Sequence, residues 1–438
     1  MTQLLTIAFR NLWQHRARNS RLALALSAVA LLMVLLGALT EGVKQTLIRV
    51  STGAATGHIN VGGFYKITSG AAAPLITDYK PIFDLLQKEM PEISSMTVRM
   101  RGFGRLVSET SSQQSAFAGV DIDNEPRLKE VIRLKSGSFE GLRREDTILL
   151  FENQAEQLGV KVGDLLTISS QTARGATNTL DVTVTAIGAD MGFLSTFNAF
   201  FSNAALRKLY QLADNSTGAL HVYMRDFDSE NETRLRAQAS KMRGLLSAAG
   251  QDLMPEDTRP FFQKFEVVNR QDWTGQKVDV TLWQDELSWI SWILDVLSGV
   301  RKGLSWLLLF IVSVGIINVL WVTIRERTRE IGSLRAIGMQ KTRVAAMFLL
   351  EGWALGVVSA VLGIFLAFLA CFVLNALHLP LPRLARLLLL SDTLFFAPTL
   401  ANAWETLKIF TVVIGIVSLI ASMRAASLKP VTAMSHAG

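Results

Sequence analysis

Arg325 to Arg343 reads R-E-R-T-R-E-I-G-S-L-R-A-I-G-M-Q-K-T-R, a strongly charged stretch between two long apolar runs. Helical spacing puts Ile331, Leu334 and Ile337 on one face. Glu326 and Arg329 lie three residues apart, as do Arg327 and Glu330. Each such pair supports a helix by about 0.2–0.5 kcal/mol. So charged a helix cannot cross a bilayer, whereas its apolar flanks can. The stretch therefore predicts a cytoplasmic helix over 325–343, held between two spans, whose apolar stripe wants a partner protein.

The flanks are long enough. Gly303 to Ile324 is uncharged and supplies a second span, which with its stalk covers 296–324. A third span is expected over 344–377 and a fourth over 406–423. Near the N-terminus, Leu22 to Thr40 carries no charge. Its 19 residues reach about 28 Å at 1.5 Å each, enough for a first span over 21–43. Half of the 438 residues are hydrophobic and the mean hydropathy is +0.31. Leu387 to Trp404 is apolar enough to suggest a fifth span, but Asp392 and Pro398 argue for a loop over 378–405.

Charge sets the orientation. Residues 1–21 carry four Arg and no acid, 325–343 carry six basic and two acidic residues, and the tail adds Arg424 and Lys429. With both termini inside, all three fall in the cytoplasm. Residues 1–20 read as an amphipathic interfacial helix, with Leu5, Ala8, Leu12, Phe9 and Trp13 on its apolar face. The formal charge of +7 does not signal nucleic acid, because no basic stripe with interleaved aromatics occurs. The tail over 424–438 is expected to be cytoplasmic.

Residues 44–295 read as a soluble α+β domain outside the cytoplasm. Asp78 to Met90 predicts a helix capped by Asp78 with Pro81 in its first turn, and Thr97 to Val120 predicts turn-linked strands. Phe151 to Ile168 reads as helix, turn and strand, and Asp181 to Ile187 alternates like a half-buried strand. Glu230 to Ala249 predicts a helix with Leu235, Ala239, Met242 and Leu246 on its core face. The only cysteine, Cys371, excludes an internal disulfide. Trp283, Trp289 and Trp292 precede the second span and are expected as interfacial anchors, with ring stacking in a cleft as the alternative.

Enzymatic constellations are missing. The chain has no G-x-x-x-x-G-K-[ST], no H-E-x-x-H and no G-x-S-x-G, and its five histidines lack metal-ligand spacing. No catalytic or metal residue is expected. Glu351 lies near the cytoplasmic start of the third span, where pairing with a partner group or helix positioning suits it better than proton transport. Gly352, Gly356 and Gly363 give the third span a smooth face, either for packing within the chain or for a dimer seam.

These pieces together resemble the family of permease subunits typified by MacB, LolC, LolE and FtsX. The resemblance is carried by A-F-R-N-L-W-Q-H-R-A-R-N at the N-terminus, the Asp146 to Asp164 stretch, E-R-T-R-E-I-G-S-L-R-A-I-G-M from Glu326 to Met339, and F-L-L-E-G from Phe348. It implies four transmembrane helices in an inner membrane, with a large periplasmic α+β domain of two subdomains between the first two spans. The outer subdomain is expected over about residues 121–214.

The resemblance also implies that Glu326, Arg327, Arg329, Glu330, Ile331, Leu334, Arg335, Ile337, Gly338 and Met339 form a coupling helix. That helix would dock on a separate ABC ATPase dimer, which would bind the ATP and magnesium. A second permease subunit, identical or a sister, is implied, with a periplasmic adaptor or lipoprotein carrier as a further partner. The function implied is mechanotransmission driving lipoprotein release or export of an amphipathic substrate. The alternative is an FtsX-like signalling subunit that activates a cell-wall hydrolase.

Overall fold

The computed structural model describes residues 16–68, 71–172, 174–228, 231–326, 333 and 337–426. Trp13, Arg327, Arg329, Glu330, Ile331, Leu334 and Arg335 lie outside these residues. Contacts divide the chain into two units. One holds the residues up to Lys44, Leu294–Leu379 and those from Leu394 on; the other holds Gln45–Ile293 and Pro380–Thr393.

In chain order the elements are α1 (Arg16–Ala54), β1 (Ile59–Lys66), α2 (Lys80–Glu89), β2 (Ile93–Val107), β3 (Ser112–Val120), α3 (Pro126–Val131), β4 (Leu134–Gly137) and β5 (Thr147–Phe151). Then come α4 (Glu152–Leu158), β6 (Leu165–Gln171), β7 (Thr177–Gly188), α5 (Phe193–Phe197), β8 (Asn198–Ser202), α6 (Asn203–Tyr210), β9 (Ala219–Met224) and α7 (Glu232–Ala248). The rest are α8 (Phe261–Arg270), β10 (Gly275–Leu282), α9 (Trp283–Glu286), α10 (Ser288–Glu326), α11 (Lys341–Ala376), α12 (Arg383–Leu389) and α13 (Leu400–Ala426).

The helical unit draws on α1, α10, α11 and α13, the four described helices long and apolar enough to cross a membrane. Their shared core includes Leu26, Met33, Val312, Ala360, Phe410 and Ile414. No fifth such helix occurs among the described residues; α13 begins at Leu400 and takes up the end of the stretch read as loop.

The sheet-bearing unit holds two lobes that share β2. In the first, the strands run β10-β1-β9-β2, all antiparallel. Its order of elements is that of a split βαβ repeat, in which α2 follows β1 and α7 follows β9. The second lobe is inserted between β2 and β9. There β2 pairs β3, β3 pairs β8, β8 pairs β5, β5 pairs β7, β7 pairs β6, and β6 returns to β2. The ladder thus closes into a six-stranded barrel, filled by Leu106, Phe117, Ile148, Leu166, Val184 and Phe201 among others.

β2 divides its 15 residues between the lobes. Ile93 to Arg99 pair with β9, and Met100 to Val107 pair with β3. The inserted lobe therefore starts inside β2, ahead of the expected residue 121. No turn residue marks that handover, since the strand runs straight through it.

Local signals explain most elements. On α7, Leu235, Ala239, Met242 and Leu246 are all buried, as their spacing requires. Its start is capped by the Asn231 side chain, which accepts from the Arg234 amide at 3.0 Å. On β7, Val182, Val184 and Ala186 are fully buried. α2 differs from expectation: it begins at Lys80 with Tyr79 at the cap position. Asp78 still takes one free amide, accepting from Lys80 at 3.3 Å.

Candidate functional site

The predicted coupling segment is described at its ends. Glu326 closes α10. Ser333 accepts a helical hydrogen bond from the Ile337 amide at 3.1 Å. Gly338 follows with φ +99°, the left-handed conformation that stops a helix after its last turn. Met339 then packs on Ile324, Val344, Met347 and Phe348. Ile337 is left 86% exposed.

The third-span glycines pack within the chain. A Cβ on Gly356 would lie 2.5 Å from Ile414 of α13, and one on Gly363 would lie 2.4 Å from the Ser27 carbonyl of α1. The Ser27 hydroxyl donates to the Ser359 carbonyl at 2.9 Å, so α1 and α11 approach at backbone distance. Gly352 is half-buried on the same helix. Glu351 is buried next to it.

The sheet-bearing unit is built around a buried arginine that the sequence did not single out. Arg99 donates to both oxygens of Glu125 at 2.7 Å, and it donates also to the Gly53 and Ala54 carbonyls. Those carbonyls are the exposed acceptors at the end of α1, where the helix dipole is negative and a guanidinium fits it. Tyr223 adds a bond from its hydroxyl to the Thr52 carbonyl at 3.1 Å. Arg127 stacks over the Tyr223 ring at 4.4 Å. Where β2 passes from one lobe to the other, Asn203 stands in for a strand. It accepts from the Met100 amide and donates to the Val98 carbonyl.

Two histidines flank this junction. The His58 Nδ1 accepts from the Met224 amide at 3.0 Å, and its ring stacks on Phe227 at 3.6 Å. Burial, with Arg127 adding to it, lowers the His58 pKa to about 3. His221 is held well below the ordinary value by burial first, then by Arg99 and Arg101. A cleft of about 690 Å³ opens between the lobes, lined by Phe83, Thr97, Asp121, Arg143, Asn203 and Arg207 among others.

The three tryptophans before the second span separate. Trp283 is 2% exposed at the start of α9, so no ring face remains for a bilayer boundary, a correction to its expected anchor role. Trp289 packs on Phe193 with ring centroids 5.3 Å apart. Trp292 projects outward and is 66% exposed.

The loop between the third and fourth spans contributes Pro380–Thr393 to the sheet-bearing unit. Asp392 accepts from Arg133 at 2.6 Å. α12 lies against Gly192, whose Cβ would meet the Leu387 and Arg386 carbonyls at 2.5 and 2.6 Å. With φ +66° as well, that position accepts only glycine without strain. The sequence predicts a plain loop for these residues, from Pro380, Pro382 and Asp392.

Among the described residues no cluster of His, Cys, Asp or Glu could hold a metal. The chain matches the MacB-like periplasmic core domain over residues 22–240, half of its length. It also matches the FtsX-like permease C-terminal domain over residues 303–430. The chain belongs to this MacB-like permease family.

The macrolide export ATP-binding/permease protein MacB of Campylobacter jejuni is 28% identical over 130 residues, covering 29% of this permease and 18% of the relative. The pyoverdine export ATP-binding/permease protein PvdT of Pseudomonas fluorescens is 31% identical over 143 residues, covering 32% and 19%. An uncharacterized ABC transporter permease of Methanocaldococcus jannaschii is 33% identical over 88 residues, covering 20% and 22%. The permease thus spans about a fifth of the length of these curated relatives. The crystal structure of the periplasmic region of MacB from Actinobacillus actinomycetemcomitans aligns at a TM-score of 0.30 and 13% identity, covering 46% of this chain and 89% of that one.

Proposed function

We propose that this permease is the non-catalytic, mechanotransmitting subunit of an ABC transporter. A separate ATPase dimer, which would bind ATP and magnesium, docks on the cytoplasmic segment around Ile337. Closure of that dimer displaces the segment and the helices that flank it. The periplasmic-type domain responds, and an amphipathic cargo such as a lipoprotein is released or exported on the outer side. Both termini are cytoplasmic in this reading, and the membrane is the inner one.

Ile337 carries the reading, since it is exposed at a helix end between two spanning helices. The grip on α1 supports it. A helix that must pull on a domain needs its last carbonyls held, and Arg99 and Tyr223 hold Thr52, Gly53 and Ala54. Ile337→Glu, co-expressed in the full chain with the ATPase subunit, is expected to insert normally and to lose most ATPase co-purification. Full co-purification with unchanged ATP turnover would mean that the docking site lies elsewhere.

A further inference from the structure

β2 carries a stretch of bare edge inside the cleft between the lobes. On one side, Ile93 to Arg99 pair with β9. On the other, β3 follows β2 only as far as Gly119, opposite Met100, and then leaves through the helical turn Ile122–Asn124. The Arg99 carbonyl points to the β9 side, where it accepts from the Gly218 amide at 3.1 Å. Peptide groups alternate along an antiparallel strand, so those of Met96 and Val98 point the opposite way. Val222, opposite Met96, fixes the same phase, because its carbonyl accepts from the His58 amide on the side away from β2.

One rung of this edge is already filled, and it shows what the edge accepts. The Asn203 side chain accepts from the Met100 amide at 3.0 Å and donates to the Val98 carbonyl at 2.9 Å, as a peptide group of a neighbouring strand would. Gly119 makes room for it, since a Cβ there would lie 2.8 Å from the Asn203 oxygen. The same pair of groups recurs two residues back, as the Val98 amide and the Met96 carbonyl. No described residue bonds to either. Both residues are half-buried and line the cleft of about 690 Å³, with Phe83 of α2 and Ala204 of α6 among the walls.

Charge does not choose the occupant. Within the lining Arg143 is paired with Asp123, and Glu125 is bound by Arg99. What remains, Lys80 and Arg207 against Asp84 and Asp121, balances.

We propose that this edge takes up an extended polypeptide segment of a second protein as an added strand. A donor and an acceptor at the spacing that Asn203 satisfies one rung further on match a peptide backbone, and an acyl chain offers neither group. Main-chain bonds carry such binding whatever side chains the segment bears. The occupant's chemistry is therefore that of an unfolded tail or linker with its amide hydrogens intact. The proposal does not depend on where an ATPase docks, and its failure would leave that reading untouched.

The test is amide hydrogen exchange on the full chain in detergent, with a pool of proline-free octapeptides of random sequence as the probe. Exchange over residues 93–99 is expected to slow several-fold with the pool, and not at all with the same pool N-methylated at every backbone amide. Val98→Pro removes one donor on the cleft side, where an edge strand tolerates proline. It is expected to weaken binding about fivefold, the worth of one backbone hydrogen bond. Ala204→Trp fills the cleft without touching the ladder and should abolish the protection, and it decides the matter if Val98→Pro melts below the parent. Unchanged exchange at 93–99, or equal slowing by the methylated pool, would overturn the proposal. So would protection that appears without peptide and grows with protein concentration, because the occupant would then be a second copy of this chain.

Discussion

Arg99 and Glu125 meet through two parallel hydrogen bonds of 2.7 Å, with both side chains almost wholly removed from water. Glu125 lies just beyond β3, and Arg99 sits at the point where β2 changes partners. The pair therefore fastens the end of α1 to the junction of the two lobes.

Arg99→Met should leave a buried carboxylate alone and two helix carbonyls bare. Breaking a buried pair from one side costs about 3–5 kcal/mol. The midpoint of urea unfolding of the detergent-solubilised chain is expected to fall accordingly. Arg99→Met with Glu125→Leu should recover part of the loss, because no lone charge remains. A double variant as unstable as the single one would show that the helix carbonyls, rather than the carboxylate, set the cost.

Acid should weaken this domain before it reaches ordinary carboxylate titration. His58 has a folded pKa of about 3 against an ordinary value of 6.5. Between those values the unfolded chain binds a proton that the folded one refuses. Stability is then complete above about pH 6.5 and falls as the pH drops, by up to about 1.4 kcal/mol per pH unit per histidine. His221 acts with the same sign. Melting curves between pH 7.5 and 5 should show the slope, and His58→Gln should flatten it by its own share.

Gly192→Val should free the Pro380–Thr393 segment. It adds side-chain atoms where the Arg386 and Leu387 carbonyls already lie, at a positive φ that valine resists. Limited proteolysis should cut between residues 380 and 393 much faster than in the parent. Arg133→Ala, which removes only the exposed contact to Asp392, should change stability by no more than about 1 kcal/mol.

Glycines give a paired prediction in the helices. Gly363→Leu must separate α1 from α11 and should sharply lower the yield of folded protein. Gly244→Ala on α7 faces open space and should stabilise by about 0.5–1 kcal/mol through helix propensity. Expression yield and thermal melting together check both.

The spans were legible because hydrocarbon imposes one crude requirement, a long uncharged run, and Gly303 to Ile324 meets it. The core face of α7 was legible for a similar reason: 3.6-residue periodicity is local. The lobe boundary was not, because β2 hands over between Arg99 and Met100 with no turn residue to announce it. Nor was Arg99, since its partners Glu125 and Ala54 are 26 and 45 residues away. Trp283 misled for a related reason. Composition assigned it with Trp289 and Trp292 to one interfacial group, but Trp283 is buried, Trp289 packs on Phe193, and only Trp292, nine residues on, is exposed among the three.

The barrel's closure has a bearing on how this protein survives when crowded. A strand with a bare side can recruit another chain. Six strands of the inserted lobe pair in a closed ring, and β4, four residues long, is added at the β7 side. In the other lobe β10 is shielded in part by the segment before α8, where Met254 donates to the Val278 carbonyl and Val278 to that of Asp252. A sheet so finished offers few bare strand edges on which another chain could pair.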